Sequence, residues 1–578
     1  MQFLLFNLNR KERAIVNKHH PYHPIIYVRG FAATNDEIEE TVADPYMGFN
    51  VGSSKSRQLW NGKVQKFFFE SPMVRLKDEI VWLDQGREQS KRRYDDIYVN
   101  GQDLTEPDPG DPTQPLLRSI ALPYQSIIIF RYYDEASETF GSGNTPPIQH
   151  FAQGLSDLIL RVRTLVCRKG DDPITGKPLD NEVTEKDFRC YLVAHSMGGL
   201  VARAFLQNPK LGSPEARQAV DKLFTYATPH NGIDLRIVRN VPAWATFGDA
   251  DNFNRKRMAD YFAIPPSQLI PASNPDVSLL TNFPAERVFN LVGTNPSDYT
   301  VMKGMSAWAV GDASDGLVRI TNATTFSRSA NQIVRSPAAF AHRSHSGHYG
   351  IVNSEEGYQN LTRFLFGSLR IDGILDIDSL TLPADIQDEK DKGKEIRASY
   401  QFEIVASVRG SQWQIHRRVV RENSAIHRMY DELFPLIAGV PTPDRSASPQ
   451  LFSVFLDETK SVSQAKSVAF AFDLAVLVPD YMVENTFWPN QHYEGSYIYR
   501  ELILVEAIPD AAEPIGYRIL RGEQSKTPNL ATTPCITQAL PDQTGVSFDI
   551  PIKTENGIRP GISAILRIEV RPWNQDTV

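Results

Sequence analysis

Cysteine is scarce in this chain: Cys167, Cys190 and Cys535 are the only three among 578 residues. A disulfide framework is thereby excluded, and the usage fits a reducing compartment without demanding one. Apolar runs of roughly 18 residues are missing too, so no membrane-spanning helix is expected. The opening MQFLLFNLNRKERAIV loses its short apolar run at Asn7 and has no basic segment before it, which is unlike a signal peptide. The expectation is a soluble protein, cytoplasmic by default, with signal-independent secretion as the alternative. Excess positive charge is also lacking. Lys and Arg total 61 against 69 Asp and Glu, a net charge of −8. Short groupings such as Lys91-Arg92-Arg93 read as solvated surface, so no nucleic-acid partner is expected.

What is present is ordinary for globular protein, 41% hydrophobic and 22% charged residues. The length is too great for one compact core and implies several domains.

The most informative stretch is Tyr191–Leu206, YLVAHSMGGLVARAFL. A buried-type strand runs into Ala194-His195-Ser196-Met197-Gly198, and an apolar helix follows. Small residues flank the serine at a strand-to-helix turn, the pattern of a nucleophile elbow, with Ala194 in place of the usual first glycine. An ordinary turn with Ser196 as a helix N-cap is the plain alternative. This string resembles the α/β-hydrolases, in their lipase and esterase branch, including bacterial lipase-like and GPI-inositol-deacylase-like serine hydrolases. The resemblance implies a mostly parallel sheet with helices on both faces. It also implies a Ser-Asp-His order along the chain and an ester substrate, with no cofactor and no metal.

Other segments fit that frame. Pro24–Val28 is a strand ending at Arg29-Gly30-Phe31, where similar lipases carry His-Gly and a bulky residue. The resemblance implies that the N–H groups of Phe31 and Met197 form the oxyanion hole. Arg29 departs from the pattern; it is either a structural pin on the loop or a contact for an anionic group. Residues 33–115 form an insertion without clear strand–helix rhythm. Ser126–Phe130 is another strand, and Ile148, Phe151, Leu155, Leu158, Ile159, Val162, Leu165 and Val166 share one helix face. A helix between two such strands is a βαβ unit. Lys222–Ala227 is a further strand leading into Thr228-Pro229-His230-Asn231-Gly232, where His230 reads as structural rather than catalytic. Residues 233–285 form either a lid or material buried against the domain.

Asp315, in Asp315-Gly316-Leu317-Val318, matches the string that carries the acid in bacterial lipases, with Asp312 in reserve. Three histidines follow, His342, His345 and His348. The family's histidine precedes the last helix of the domain closely, which selects His348, with His345 second. A three-histidine metal site is the competing reading. Together Ser196, Asp315 and His348 imply a serine carboxylic-ester hydrolase, a lipase or phospholipase. The alternatives are an acyltransferase of the same fold, a peptidase, and a non-catalytic binding protein.

Asp388–Glu395 is a charge run read as a linker, giving a catalytic domain over 1–386 and an accessory domain over 396–578. Beyond the run the apolar period becomes two, as in Ile396, Ala398, Tyr400, Phe402, Ile404, Ala406 and Val408, which predicts a β-sandwich-like domain. A short helix is expected at Ser424–Phe434. No acidic loop suited to calcium stands out. Peripheral membrane contact through this domain is one expectation; a structural or oligomer-forming role is the other.

Overall fold

The computed structural model describes, in the main, residues 19–30, 71–78, 90–99, 120–136, 146–233, 253–271, 275–296, 313–329, 332–347, 350–409, 413–457, 468–484, 491–508, 516–521, 537–555 and 557–574, with short segments between 44 and 115. The chain divides into two compact units. One comprises the described residues up to 338 and 342–361; the other comprises those from 362 onward with 339–341.

The first unit is built on six strands of one sheet. They are β1 (Ile25–Val28), β2 (Ile97–Val99), β3 (Ile127–Phe130), β4 (Cys190–His195), β5 (Val220–Tyr226) and β6 (Val288–Gly293), in the spatial order β6-β5-β4-β1-β3-β2. From β5 through β4, β1 and β3 to β2 every pairing is parallel, as is β5 with β6. Parallel strands covered on both faces are apolar throughout rather than alternating. β1 and β3 accordingly read IIYV and IIIF, with every residue buried. Helix α1 (Ile148–Cys167) carries the chain from β3 to β4, and all eight residues of its expected apolar face are buried. β1 lies between those two strands, so the crossover passes over one neighbour.

One expectation changes. β2, inside the 33–115 insertion, is a strand of the main sheet paired with β3. Three residues are too short a run to show a period, which is why the sequence hid it. In the 233–285 segment, Tyr261, Phe262 and Ile264 are buried. Val241, Trp244 and Phe247 lie outside the described residues.

The second unit holds two antiparallel sheets. One pairs 450–456, 369–381, 561–572, 546–553 and 538–539 in that order; the other centres on 396–408, 468–477 and 497–508. Their inward residues, among them Leu375, Phe402, Phe472, Phe548 and Leu566, form one core, the sandwich that the period of two predicts. The boundary moves, however. Leu369–Thr381 is a strand of this sandwich, so the charge run is not a linker: Ala384–Asp391 is a helix within the unit, and its Ile386 joins the core. The expected helix at 424–434 is instead a strand, Ile426–Met429, and one helical turn, Tyr430–Leu433.

Burial keeps several first-unit histidines neutral. His23 is hydrogen-bonded to the Tyr124 hydroxyl at 2.8 Å, and desolvation lowers its pKa from 6.5 to about 3. His195 and His230 are pushed well down for the same reason. Each protonates when the chain unfolds in mild acid but not while it is folded, so protons favour the unfolded chain. Stability should therefore fall as pH drops from about 6.5 toward 3, by on the order of 4 kcal/mol from His23 alone. Denaturant midpoints between pH 7 and 4 check this; His23→Gln should flatten the slope, and an unchanged slope would refute the assignment.

Candidate active site

The site starts at the turn between β4 and helix α2 (Met197–Gln207). Ala194, in place of the usual first glycine, pairs with Val28 across the sheet and is fully buried. Ser196 sits at φ 52°, ψ −124°, a conformation that side chains disfavour. Its N–H donates to the Tyr226 carbonyl at 2.9 Å. Space is the controlling factor. A Cβ on Gly198 would lie 2.2 Å from the Arg29 carbonyl oxygen and 2.3 Å from that of Val28. A Cβ on Gly30 would come within 2.7 Å of the Ser196 Cβ. The sequence pattern of a nucleophile elbow is thus a pattern of close backbone approach.

Around this turn stands a buried hydrogen-bonded chain. The Ser196 hydroxyl lies 2.9 Å from His345 Nε2, and His345 Nδ1 lies 3.0 Å from Asp315 Oδ2. Ser196, His345 and Asp315 are each no more than 3% exposed. The expectation that His348 partners Ser196 is corrected: His345 occupies that place, and His348 lies outside the described residues. The spacing argument failed because the chain doubles back before the helix that starts at Glu355: Gly347 stands at φ 96°, the Gly350 N–H donates to the Gly347 carbonyl at 2.9 Å, and the Ile351 N–H donates to the Ser344 carbonyl at 3.0 Å.

Each partner is fixed by its own loop. Oδ1 of Asp315 accepts from the N–H groups of Leu317 at 3.0 Å and Val318 at 2.7 Å, leaving Oδ2 for the histidine. The sequence did not flag Gly293, the last residue of β6, where a Cβ would lie 2.7 Å from the Asp315 Cβ and 2.7 Å from the Arg343 carbonyl. The His345 N–H donates to the Asp315 carbonyl at 3.0 Å, so acid and histidine are tied through backbone as well as side chain. His195 also escaped the sequence reading. Its Nε2–H donates to the His345 carbonyl at 2.9 Å, joining the elbow strand to the histidine loop. Its position directly before the serine was the available signal.

Met197 opens α2, and the first N–H groups of a helix have no partner within it. Phe31, the other expected donor, lies outside the described residues, as does Asp312. The Arg29 guanidinium donates to the Met47 carbonyl, and the Arg29 carbonyl accepts from the Tyr132 hydroxyl at 2.6 Å, the geometry of a loop pin. His230 is buried, with Nε2 3.3 Å from the Thr225 hydroxyl. Arg203 on α2 is buried with it, donating to the carbonyls of His230 at 2.9 Å, Val277 at 2.5 Å and Leu279 at 2.7 Å. Burial lowers its pKa to about 9, and the guanidinium stacks 3.9 Å over the Phe262 ring. Among the described residues no group of three metal-ligating side chains gathers.

Comparison with known proteins agrees with this geometry. Residues 146–242 match the family model described as a PGAP1-like alpha/beta domain, a segment that includes α1, the elbow and β5. Sheet and elbow together give an α/β-hydrolase fold, and the matched segment includes its elbow. No curated protein matches the chain. Among solved structures, phospholipase PlaB from Legionella pneumophila aligns over 82% of this chain and 91% of its own, at 12% identity and a TM-score of 0.26.

The elbow makes two opposed predictions. Gly198→Ala should destabilise the fold by about 3 kcal/mol, because the added methyl meets backbone carbonyls that cannot move aside. Ser196→Gly should stabilise it by about 1 kcal/mol by relieving the positive φ, while removing the hydroxyl. Denaturant unfolding of the two variants beside the parent measures both; equal stabilities would show that the turn is unstrained.

Proposed function

We propose that this chain is a serine carboxylic-ester hydrolase acting on lipids, as a lipase or phospholipase. The observation that carries the reading is the Ser196–His345–Asp315 chain, with links of 2.9 and 3.0 Å, mounted on a strained elbow. Ser196 supplies the nucleophilic oxygen. His345 Nε2 takes the hydroxyl proton as the oxygen attacks the ester carbonyl. Asp315 accepts the Nδ1–H bond, keeps the ring in the productive tautomer and stabilises the imidazolium that forms.

The tetrahedral oxyanion is held by the Met197 N–H at the start of α2, with Phe31 as the proposed second donor. His345 then returns the proton to the leaving alcohol, and the acyl group remains on Ser196. Water, deprotonated by the same histidine, attacks the acyl-enzyme; the bond to Ser196 breaks, His345 returns the proton to the Ser196 oxygen, and the acid leaves. The PGAP1-like match and the lipase-like strings around Ser196 and Asp315 support a lipid ester over a peptide.

Ser196→Ala should abolish labelling by a fluorophosphonate and turnover of nitrophenyl esters. Labelling that persists in this variant would place the nucleophile elsewhere. His345→Ala should lower kcat by about 10³-fold or more, whereas His348→Ala should stay within about threefold of the parent. The reverse ranking would return the base to His348. A chain-length series of esters, followed by phospholipid vesicles, separates lipase, phospholipase and short-chain esterase.

A further inference from the structure

In the second unit, Phe434-Pro-Leu-Ile-Ala-Gly-Val-Pro441 carries no polar side chain. Leu436–Ile437 and Val440–Pro441 pair as a hairpin, with Ile437 opposite Val440. Its two turn residues, Ala438 at φ 52° and Gly439 at φ 82°, are both left-handed, as a tight two-residue hairpin requires. Leu436 is 72% exposed, Ile437 59% and Val440 62%. Apolar residues scattered singly on a surface are normal; three gathered on one tip are not.

The tip stands on a fixed base. Leu433 and Phe434 belong to the sandwich core, and Tyr430 stacks on Phe434 with ring centroids 5.0 Å apart. The Thr442 N–H donates to the Pro435 carbonyl at 3.1 Å, and the Asp444 N–H donates to the Leu433 carbonyl at 2.9 Å.

We infer that this hairpin is a prong that inserts Leu436, Ile437 and Val440 among the acyl chains of a lipid surface. Three observations select lipid over protein. The patch is three side chains wide, far below the roughly 800 Å² per partner of a stable protein interface. The backbone is prepared for an apolar phase: the strands pair with each other, and Pro435 and Pro441 contribute no N–H donor. The turn breaks its usual chemistry, since asparagine is the ordinary residue at such a position. Elsewhere the chain places asparagine at positive φ at Asn423 and Asn574, and alanine at Ala227 and Ala263. At the tip it bears the strain of alanine, which adds no polar group.

Immediately behind the tip are groups suited to the headgroup layer. Met429 is exposed, and the Lys390 ammonium lies 5.0 Å over the Tyr430 ring. Asp431 and Glu432 offset that positive charge, so insertion is driven by apolar burial and not by attraction to anionic lipid.

The test uses the full chain and vesicles of neutral phosphatidylcholine. The parent should float with the vesicles equally at low and high salt. The triple variant L436S/I437S/V440S should lose at least about 100-fold in partitioning, from roughly tenfold per aliphatic side chain withheld from lipid. Its thermal midpoint and its turnover of a soluble ester should match the parent, because the tip supports neither. In I437W, brominated acyl chains should quench fluorescence beyond the level seen for the parent.

Undiminished binding of the triple variant would overturn the proposal, as would unchanged quenching in I437W. A concentration-dependent dimer that the triple substitution abolishes would overturn it too, by making a second copy the occupant. Binding is read without turnover, so failure of this inference and failure of the hydrolase reading are separately visible.

Discussion

The crossing of two backbone segments beneath Ser196 is the constraint on which the first unit's site depends. β1 ends in Val28 and Arg29, whose carbonyls would lie within 2.3 Å of any Cβ on Gly198. That approach forces Ser196 to φ 52° and lifts its hydroxyl toward His345. The cost of such a conformation is of the order of 1–3 kcal/mol, and it persists only where surroundings over-determine it. Here they do. The Ser196 N–H is held by Tyr226, its carbonyl accepts from the Gly199 N–H, and the β4 strand entering the turn is buried up to Ala194.

From that fixed point the remaining groups are placed by loops that hold one another rather than by the sheet alone. Asp315 spends one carboxylate oxygen on two N–H groups and keeps the other for His345. The backbone of His345 bonds both Asp315 and His195. Burial holds His195 neutral, so next to His345 it adds a hydrogen bond without adding a second positive charge. A cation there would oppose the imidazolium that the proposed mechanism needs. The buried polar groups of this region form a connected network, the condition under which such groups rigidify a site instead of weakening the fold.

Legibility in the sequence followed the range of the interactions. The elbow, the face of α1 and the strands around Phe402 and Leu566 are local patterns of size and period, and they were readable. The choice between His345 and His348 depended on backbone bonds that fold Gly350 onto Gly347 and Ile351 onto Ser344, and residue spacing does not encode them. The domain boundary was misjudged for a related reason. Asp388–Glu395 is rich in charge because it is an exposed helix end and turn, and solvation looks the same in a linker as on a domain surface. Leu369–Thr381, before it, is almost wholly buried through Ile377, which obscured the period of two that marks a strand. β2 and Gly293 are meaningful only through distant partners, so nothing local announced them.

Positive φ occurs at several residues with side chains, and at some of them the surroundings account for the residue. Ser196 could be a relaxed glycine only by giving up the hydroxyl. Ala227, at φ 47°, follows β5 directly after Tyr226, whose carbonyl anchors the elbow. Ala438 is a third case, far along the sequence and in another unit. At Asn423 and Asn574 the same backbone conformation is met by the residue that tolerates it best. The contrast argues that conformation alone does not choose the side chain at such positions. The surroundings do: an oxygen aimed at a histidine requires serine, and a turn with no polar side chain excludes asparagine. Strain and an apolar tip therefore point to one requirement at Ala438, as strain and a hydrogen-bonded hydroxyl do at Ser196.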